Sequence, residues 1–249
     1  IIDIMNRTPQ IPVNQAQWAT FLRNHDELTL EMVTEEERQF MWEYYSPDPE
    51  QRMNLGIRRR LAPLMGNDRD KIELMYSMLF TLPGTTVLYY GDEIGMGDNI
   101  TLFDRNGVRT AMQWDDSKNA GFSDADVDTL FAPVIDDEIF GYQQVNVARA
   151  RADESSLLYT VRQMITTRKE HVALATASIE WLDSLPMHAL CFWRREGDAA
   201  YLSLNNLSED ELLIQLEDGQ IFTDILSGET QIAGAVTLDR YGYRWLKLQ

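Results

Sequence analysis

Two short β-prone runs, each closing on a cluster of polar residues, constrain the fold of this chain more than any other feature. The first, Gln17-Trp18-Ala19-Thr20-Phe21-Leu22-Arg23, leads straight into Asn24-His25-Asp26-Glu27. The second, Thr85-Thr86-Val87-Leu88-Tyr89-Tyr90, has no polar alternation and ends in Gly91-Asp92-Glu93. A continuous β-prone run suits a strand covered on both faces, as in a parallel sheet wrapped by helices. Helical patterning separates the two runs. Strand, helix, strand, with polar groups at the carboxyl end of each strand, is the order of a βα-barrel or a doubly wound sheet.

The helical segments carry their own signals. Thr34-Glu35-Glu36-Glu37 has capping-box spacing, with Thr34 placed to accept from the Glu37 amide. It predicts a helix to about Tyr45, where Ser46-Pro47-Asp48-Pro49 breaks the pattern. Arg58-Arg59-Arg60 is expected in a second short helical segment, on a solvated face or paired with carboxylates. Asp68 is expected to cap a helix through Ile72, Met75, Tyr76 and Leu79, ended by Pro83-Gly84. Ser155 or Ser156 is expected to cap another, with Leu157, Leu158, Val161 and Ile165 on its apolar face. From Gly95 to about Asn146 the chain reads as a long irregular loop, a length that in compact domains is functional or disordered.

After about His171 the pattern changes to short strand-like pieces: Ala189–Arg194, Ala200–Asn205, Glu211–Leu216, Gln220–Ile225, Ala235–Leu238 and Tyr243–Leu248. Turn signals such as Glu196-Gly197-Asp198 and Ser227-Gly228-Glu229 separate them, the mark of an all-β sandwich. Trp181, Trp193 and Trp245 are expected in its core rather than at a glucan-binding surface.

Forty acidic residues against 22 basic ones leave a net charge of −18, which argues against nucleic acid as a partner. Charged residues interrupt every apolar run well short of the roughly 18–20 residues of a membrane span, so no membrane partner is expected. The lone Cys191 cannot form an intrachain disulfide and gives no sign of an oxidising compartment; the expectation is a cytoplasmic protein. The first residue is Ile1, without a basic leader or cleavage site, and reads as a start inside a larger protein.

Asn24-His25-Asp26 gathers hydroxyl-bonding side chains and one fixed negative charge directly after a strand. Ion-paired loops also sit at strand ends, so a capping loop and a sugar site at a barrel face both stay open on the residues alone. Arg105 and Arg109 flank Asn106-Gly107-Val108 in the long loop, ahead of Thr110, Met112, Gln113 and Trp114. An arginine fork suits carboxylates or vicinal hydroxyls, those of this acidic chain included. Asp124, Asp126 and Asp128 alternate but lack a closing bidentate Glu, and no metal is assigned.

Phe21-Leu22-Arg23-Asn24-His25-Asp26-Glu27-Leu28-Thr29 resembles the fourth signature region of the α-amylase superfamily of glycoside hydrolases. Continued through Leu30-Glu31-Met32-Val33 it resembles the trehalose synthase branch (maltose α-D-glucosyltransferases). Asn54–Pro63, Leu88–Asn99 and Asp104–Thr110 resemble the same branch, with one departure, Ala111 where the family has proline. The resemblance covers the chain to about Arg168; beyond that it is one of architecture.

The resemblance implies an α/β plus all-β fold. Residues 1–170 would be the C-terminal portion of a (β/α)8 barrel, with strands seven and eight at 17–23 and 85–90. Residues 171–249 would be an antiparallel β-sandwich. It implies a retaining glucosyl-transferring isomerase of maltose and trehalose with minor hydrolysis. Asp26 would be the family's third catalytic carboxylate, and His25, Arg105 and Arg109 would bind substrate. Glu27 and Glu31 would be acceptor-side or entrance carboxylates, with a helix-start ion pair as the competing reading. No segment resembles the regions of the nucleophilic aspartate or the acid/base glutamate, so the chain alone is expected to be inactive. The implied partners are the disaccharide, a missing N-terminal barrel portion and further copies of the chain. No cofactor is expected in this portion; the resemblance implies calcium for the full-length protein, its usual ligands lying in earlier parts of the barrel. Oligo-1,6-glucosidase and amylosucrase types share these signatures, and a catalytically dead amylase-like scaffold subunit is the reading from outside enzymology.

Overall fold

The computed structural model of the chain describes residues 2–8, 16–182 and 185–249; Ile1, on which the expectation of an upstream portion rests, lies outside them. In chain order the helices are α1 (Ile2–Arg7), α2 (Glu35–Tyr45), α3 (Leu61–Leu64), α4 (Arg69–Thr81), α5 (Val147–Ala152), α6 (Leu157–Glu170) and α7 (Ala173–Thr176). The strands are β1 (Ala19–Thr20), β2 (Arg52–Met53), β3 (Gly56–Ile57), β4 (Thr85–Thr86), β5 (Ser178–Trp181), β6 (Ala189–Glu196), β7 (Ala199–Asn206), β8 (Leu212–Gln215), β9 (Phe222–Asp224), β10 (Ala235–Leu238) and β11 (Tyr243–Leu248). These elements fall into two compact units, one of Ile1–Thr20, Glu73–Val87 and Arg162–Gln249, the other of Phe21–Ile72 and Leu88–Val161.

The first unit holds a parallel pair and the β-rich tail. β1 and β4 align Ala19 with Thr85 and Thr20 with Thr86, and the Thr85 amide donates to the Trp18 carbonyl at 2.7 Å. Gly84 permits this approach: at its φ of +113° a Cβ would lie 2.6 Å from that carbonyl oxygen. The ladder is much shorter than the two β-prone runs. Val87 remains 45% exposed, so the expectation of a strand covered on both faces fails here: among the described residues no further strand pairs with β1 or β4.

The tail forms a five-stranded antiparallel sheet, β5-β6-β7-β11-β9, and a two-stranded one, β10-β8. Trp193, Leu202, Leu204, Phe222 and Leu246 of the larger sheet share one core with Ile214, Val236 and Leu238 of the smaller. That is two sheets packed face to face, as the turn spacing anticipated, with β5 an addition that the sequence pattern did not reveal. Trp193 and Trp245 are buried in the unit, as expected of core tryptophans.

The opposite face of the larger sheet meets the C-terminal half of α4, where Leu74 and Met78 pack with Leu190. A polar seam runs through this contact. Trp245 Nε1 donates to Ser77 Oγ at 2.9 Å, and Ser77 Oγ to Asn205 Oδ1 at 3.2 Å. Arg194 donates to the Thr81 carbonyl at 2.8 Å, and Arg168 to those of Phe80, Leu82 and Gly84 at the end of α4.

The second unit begins with the capping box at α2. Thr34 Oγ1 accepts from the Glu37 amide at 3.3 Å while Glu37 returns a carboxylate oxygen to the Thr34 amide at 2.8 Å. Asp68 accepts from the amides of Asp70 and Lys71, the expected cap of the helix that follows. Residues 58–60 are a correction: they lie between β3 and α3, not in a helix, because their guanidinium groups turn inward to partners described below. The long loop is irregular as expected, broken only by single 3-10 turns, yet Met96, Val108, Met112 and Ile135 within it are buried. It is packed, not loose.

Candidate functional site

The site-bearing loop starts at Arg23, which is 2% exposed. Its guanidinium donates to the carbonyls of Arg59 at 2.5 Å, Asp26 at 3.1 Å and Ile57 at 3.2 Å. Asn24 Oδ1 accepts from the Asp26 amide at 2.9 Å, an Asx turn that reverses the chain. Asp26 Oδ1 in turn accepts from the Glu27 amide at 2.9 Å. Two local hydrogen bonds thus orient the Asp26 carboxylate, whose side chain is 39% exposed.

The long loop then brings arginines to this turn from far along the chain. Arg105 Nε donates to Asp26 Oδ1, and its Nη2 lies 3.0 Å from Glu27 Oε2. Its Nη1 takes Asp104 Oδ1 at 2.9 Å. Arg109 Nε donates to the His25 carbonyl at 2.8 Å, leaving the exposed imidazole of His25 on the outside of the turn. Asn54 Nδ2 completes the group by donating to Glu27 Oε1 at 2.8 Å. The structure thus brings together Asp26, Glu27, Arg105, Arg109 and the His25 backbone.

Glu31 does not join them: it is exposed, in a turn before α2. The helix-start ion pair with Glu27 is corrected too, because α2 begins only at Glu35 and Glu27 is spent on Arg105 and Asn54. Hydrogen bonding with the Glu27 side chain, and then with Arg105, holds the Asp26 carboxyl far below the usual carboxylate range. It is a fixed anion at any physiological pH.

Beneath the turn lies a buried ionic layer. Arg59 Nε lies 2.9 Å from Asp98 Oδ2, which also accepts from the Arg60 amide at 2.7 Å. Arg60, wholly buried, donates to the Tyr90 carbonyl at 2.7 Å and to Asp92 Oδ1 at 3.2 Å. Its guanidinium sits 4.7 Å from the ring centroids of both Tyr89 and Tyr90. Carboxylate partners for the arginine triplet, one of the two readings offered by the sequence, are what the structure shows for Arg59 and Arg60. Arg23 and Arg58 in these roles were missed, since carbonyl partners leave no pattern along the chain.

Burial outweighs Arg60 and pushes the Asp92 carboxyl up to about 6. Between about pH 4 and pH 6 the folded chain holds a proton that the unfolded chain releases, so this group's contribution to stability falls as pH rises through that window. Asp92→Asn should abolish that slope. Denaturation midpoints of both proteins across the window check it; a wild-type advantage that grows with pH would show that pairing, not burial, dominates at Asp92.

Among the described residues no three His, Cys, Asp or Glu side chains are placed to hold a metal ion, and Asp126 pairs with Lys118 at 3.5 Å. No helix among them is long and apolar enough to cross a membrane.

A family model described as the α-amylase catalytic domain matches residues 58–177. The trehalose synthase of Pimelobacter sp. is 44% identical over the whole of this chain and 45% of its own length. The trehalose synthase/amylase TreS of Mycobacterium tuberculosis is 45% identical over the whole chain and 43% of its own length. The chain therefore spans less than half the length of these relatives. Among solved structures, the trehalulose synthase MutB of Pseudomonas mesoacidophila superimposes with a TM-score of 0.67 over 93% of this chain and 43% of that one. At 21% identity that likeness speaks for the fold alone. With the motifs and the Asp26–Arg105 geometry in place, these relationships identify the chain as a member of the α-amylase family, in its trehalose synthase branch.

Proposed function

We propose that this chain supplies one wall of the active site of a retaining glucosyl-transferring isomerase that interconverts maltose and trehalose with minor hydrolysis. One observation carries the reading. In a chain so close to trehalose synthases, Asp26 meets Arg105 across 79 residues and His25 meets Arg109 across 84.

In such a double displacement one carboxylate attacks the sugar and a second carboxyl, about 5–5.5 Å away, protonates the leaving oxygen. Asp26 has a different task. A carboxylate kept ionised beside a guanidinium grips ring hydroxyls, and does so more strongly as the oxocarbenium-like charge develops. His25, with its ring free of the turn, bonds a neighbouring hydroxyl. Arg105 and Arg109 orient the carboxylates and the sugar, and Glu27 borders the acceptor side. The exposed Glu31 would stand at the entrance. Released glucose is held and returned at a different hydroxyl; the part that escapes is the hydrolysis. No step here runs through a metal. The barrel assignment of β1 and β4 as strands seven and eight, the sandwich domain from residue 171 and a cytoplasmic location belong to the same proposal.

The nucleophile and the acid/base residue are assigned to a portion outside this chain. Purified 249-residue protein incubated with maltose or trehalose should then give no disaccharide exchange and no glucose above background, while a polypeptide joining it to the rest of the barrel turns both over. Turnover by the chain alone would place the reactive pair within it. Activity of the joined protein on α-1,6-linked oligosaccharides or sucrose, but not maltose, would select the oligo-1,6-glucosidase or amylosucrase reading instead. Its inactivity on every glucoside would favour the scaffold.

A further inference from the structure

No hydrogen bond joins Arg58 to the side chains of Asp26, His25 or Arg105, yet both terminal nitrogens of its fork donate to the loop that carries Arg105, while its buried Nε has no partner. It is 5% exposed, among neighbours that offer it no carboxylate. Nη1 donates to the Leu102 carbonyl at 2.6 Å and also to that of Asp104; Nη2 donates to the carbonyls of Ile100 at 2.8 Å and Glu50 at 2.6 Å. Three alternate carbonyls of one loop thus converge on a single planar cation.

The loop is otherwise closed by its own backbone. The Asn99 amide donates to the Gly107 carbonyl at 2.9 Å, and a Cβ on Gly107 would lie 2.5 Å from the Asn99 carbonyl oxygen. Asp104 sits in the left-handed region at φ +56°, a strained conformation for a non-glycine residue that persists only where the surroundings hold it. Arg58 holds its carbonyl, and Arg105 Nη1 holds its carboxylate.

We propose that Arg58 is a positioning residue that sets Arg105 against Asp26 by fixing the backbone of residues 100–104. The contribution to catalysis rests on the function proposed above; the positioning itself does not. Lysine cannot substitute, because its ammonium is a point donor that cannot span carbonyls reached by a rigid five-donor fork.

The test follows the Arg105 Nε–H group by proton–nitrogen NMR in the 249-residue chain, its signal assigned by its absence in Arg105→Lys. In the wild type this proton should be protected from solvent exchange; in Arg58→Lys exchange should speed up by about tenfold or more while the backbone amides of α4 keep their protection. The Asp26 carboxyl, followed by its carbon shift, should titrate closer to an ordinary carboxylate. Arg58→Ala supplemented with guanidinium ion, which can refill the vacated space, should regain the protected signal.

In the complete enzyme, Arg58→Lys should lower kcat/KM by about 100-fold, the scale of a small misplacement at a reacting centre. The double variant with Arg105→Lys should be no worse than Arg105→Lys alone. An unchanged Arg105 signal in folded Arg58→Lys, additive losses, or unfolding of both Arg58 variants would each overturn the proposal. An enzyme without maltose–trehalose exchange would sink the function while leaving the NMR result to decide the positioning role.

Discussion

Asp26→Asn, introduced into a protein carrying the complete catalytic machinery, should slow glucosyl transfer by about 100- to 1000-fold, the several kcal/mol that such hydroxyl contacts supply at the transition state. Sugar affinity should change far less. The substitution is clean because the amide oxygen can still accept from the Glu27 amide, as Oδ1 does now, so the turn keeps its shape. Arg105 keeps Glu27 and Asp104 as anionic partners. What disappears is the charge that opposes the developing positive charge on the sugar. Measured kcat and the dissociation constant for maltose check this together. Equal losses in both would mean that Asp26 binds ground state and transition state alike, and the transition-state role would fail.

Arg60→Met should produce the largest loss of stability, about 3–5 kcal/mol, because it strands a buried carboxylate without its cation. Asp92 is 4% exposed and Arg60 fully buried, so solvent screens neither. Methionine retains much of the packing against Tyr89 and Tyr90, which separates the electrostatic loss from a cavity. Asp92 already titrates at about 6; without Arg60 it moves higher still and protonates, so the loss should shrink as the pH is lowered through that value. Arg60→Met combined with Asp92→Asn should recover most of the difference, the signature of a coupled pair. Denaturation midpoints at two pH values provide the measurement. A loss below about 1 kcal/mol would mean the pair behaves as a solvated one.

The parts of the structure that could be read from the chain are those whose cause is local. The capping box at Thr34 and Glu37 and the Asp68 cap reaching Lys71 each span four residues, so their partners are visible in the sequence itself. The strands of the tail were legible because β6, β7, β10 and β11 alternate or run apolar between clear turns. β5 was not, since Ser178-Ile179-Glu180-Trp181 is too short to establish a period and becomes a strand only by pairing with β6. The arginine triplet was misplaced for a related reason. Its helical promise is local, whereas its partners, Asp92, Asp98 and the carbonyls of residues 100–104, lie some 30 to 46 residues away. At the site, Asn24, His25, Asp26, Arg105 and Arg109 were nameable from motif resemblance. That Glu27 shares Arg105 with Asp26, while Glu31 faces solvent, depends on a loop closure that no spacing encodes.

The seam between α4 and the five-stranded sheet has a consequence for how the first unit responds to its medium. Arg168 and Arg194 are buried against carbonyl oxygens at the end of a helix, and burial, followed by the charge of Arg168, pushes the Arg194 guanidinium down to about 10. Their counter-charge is a set of peptide dipoles, the negative end of α4 among them, which no dissolved ion can displace. Raising the ionic strength screens exposed charges within a Debye length but scarcely reaches such a pair. The joint between helix and sheet is accordingly salt-blind, while the solvent-facing grip of Arg105 on its carboxylates loosens as electrolyte is added.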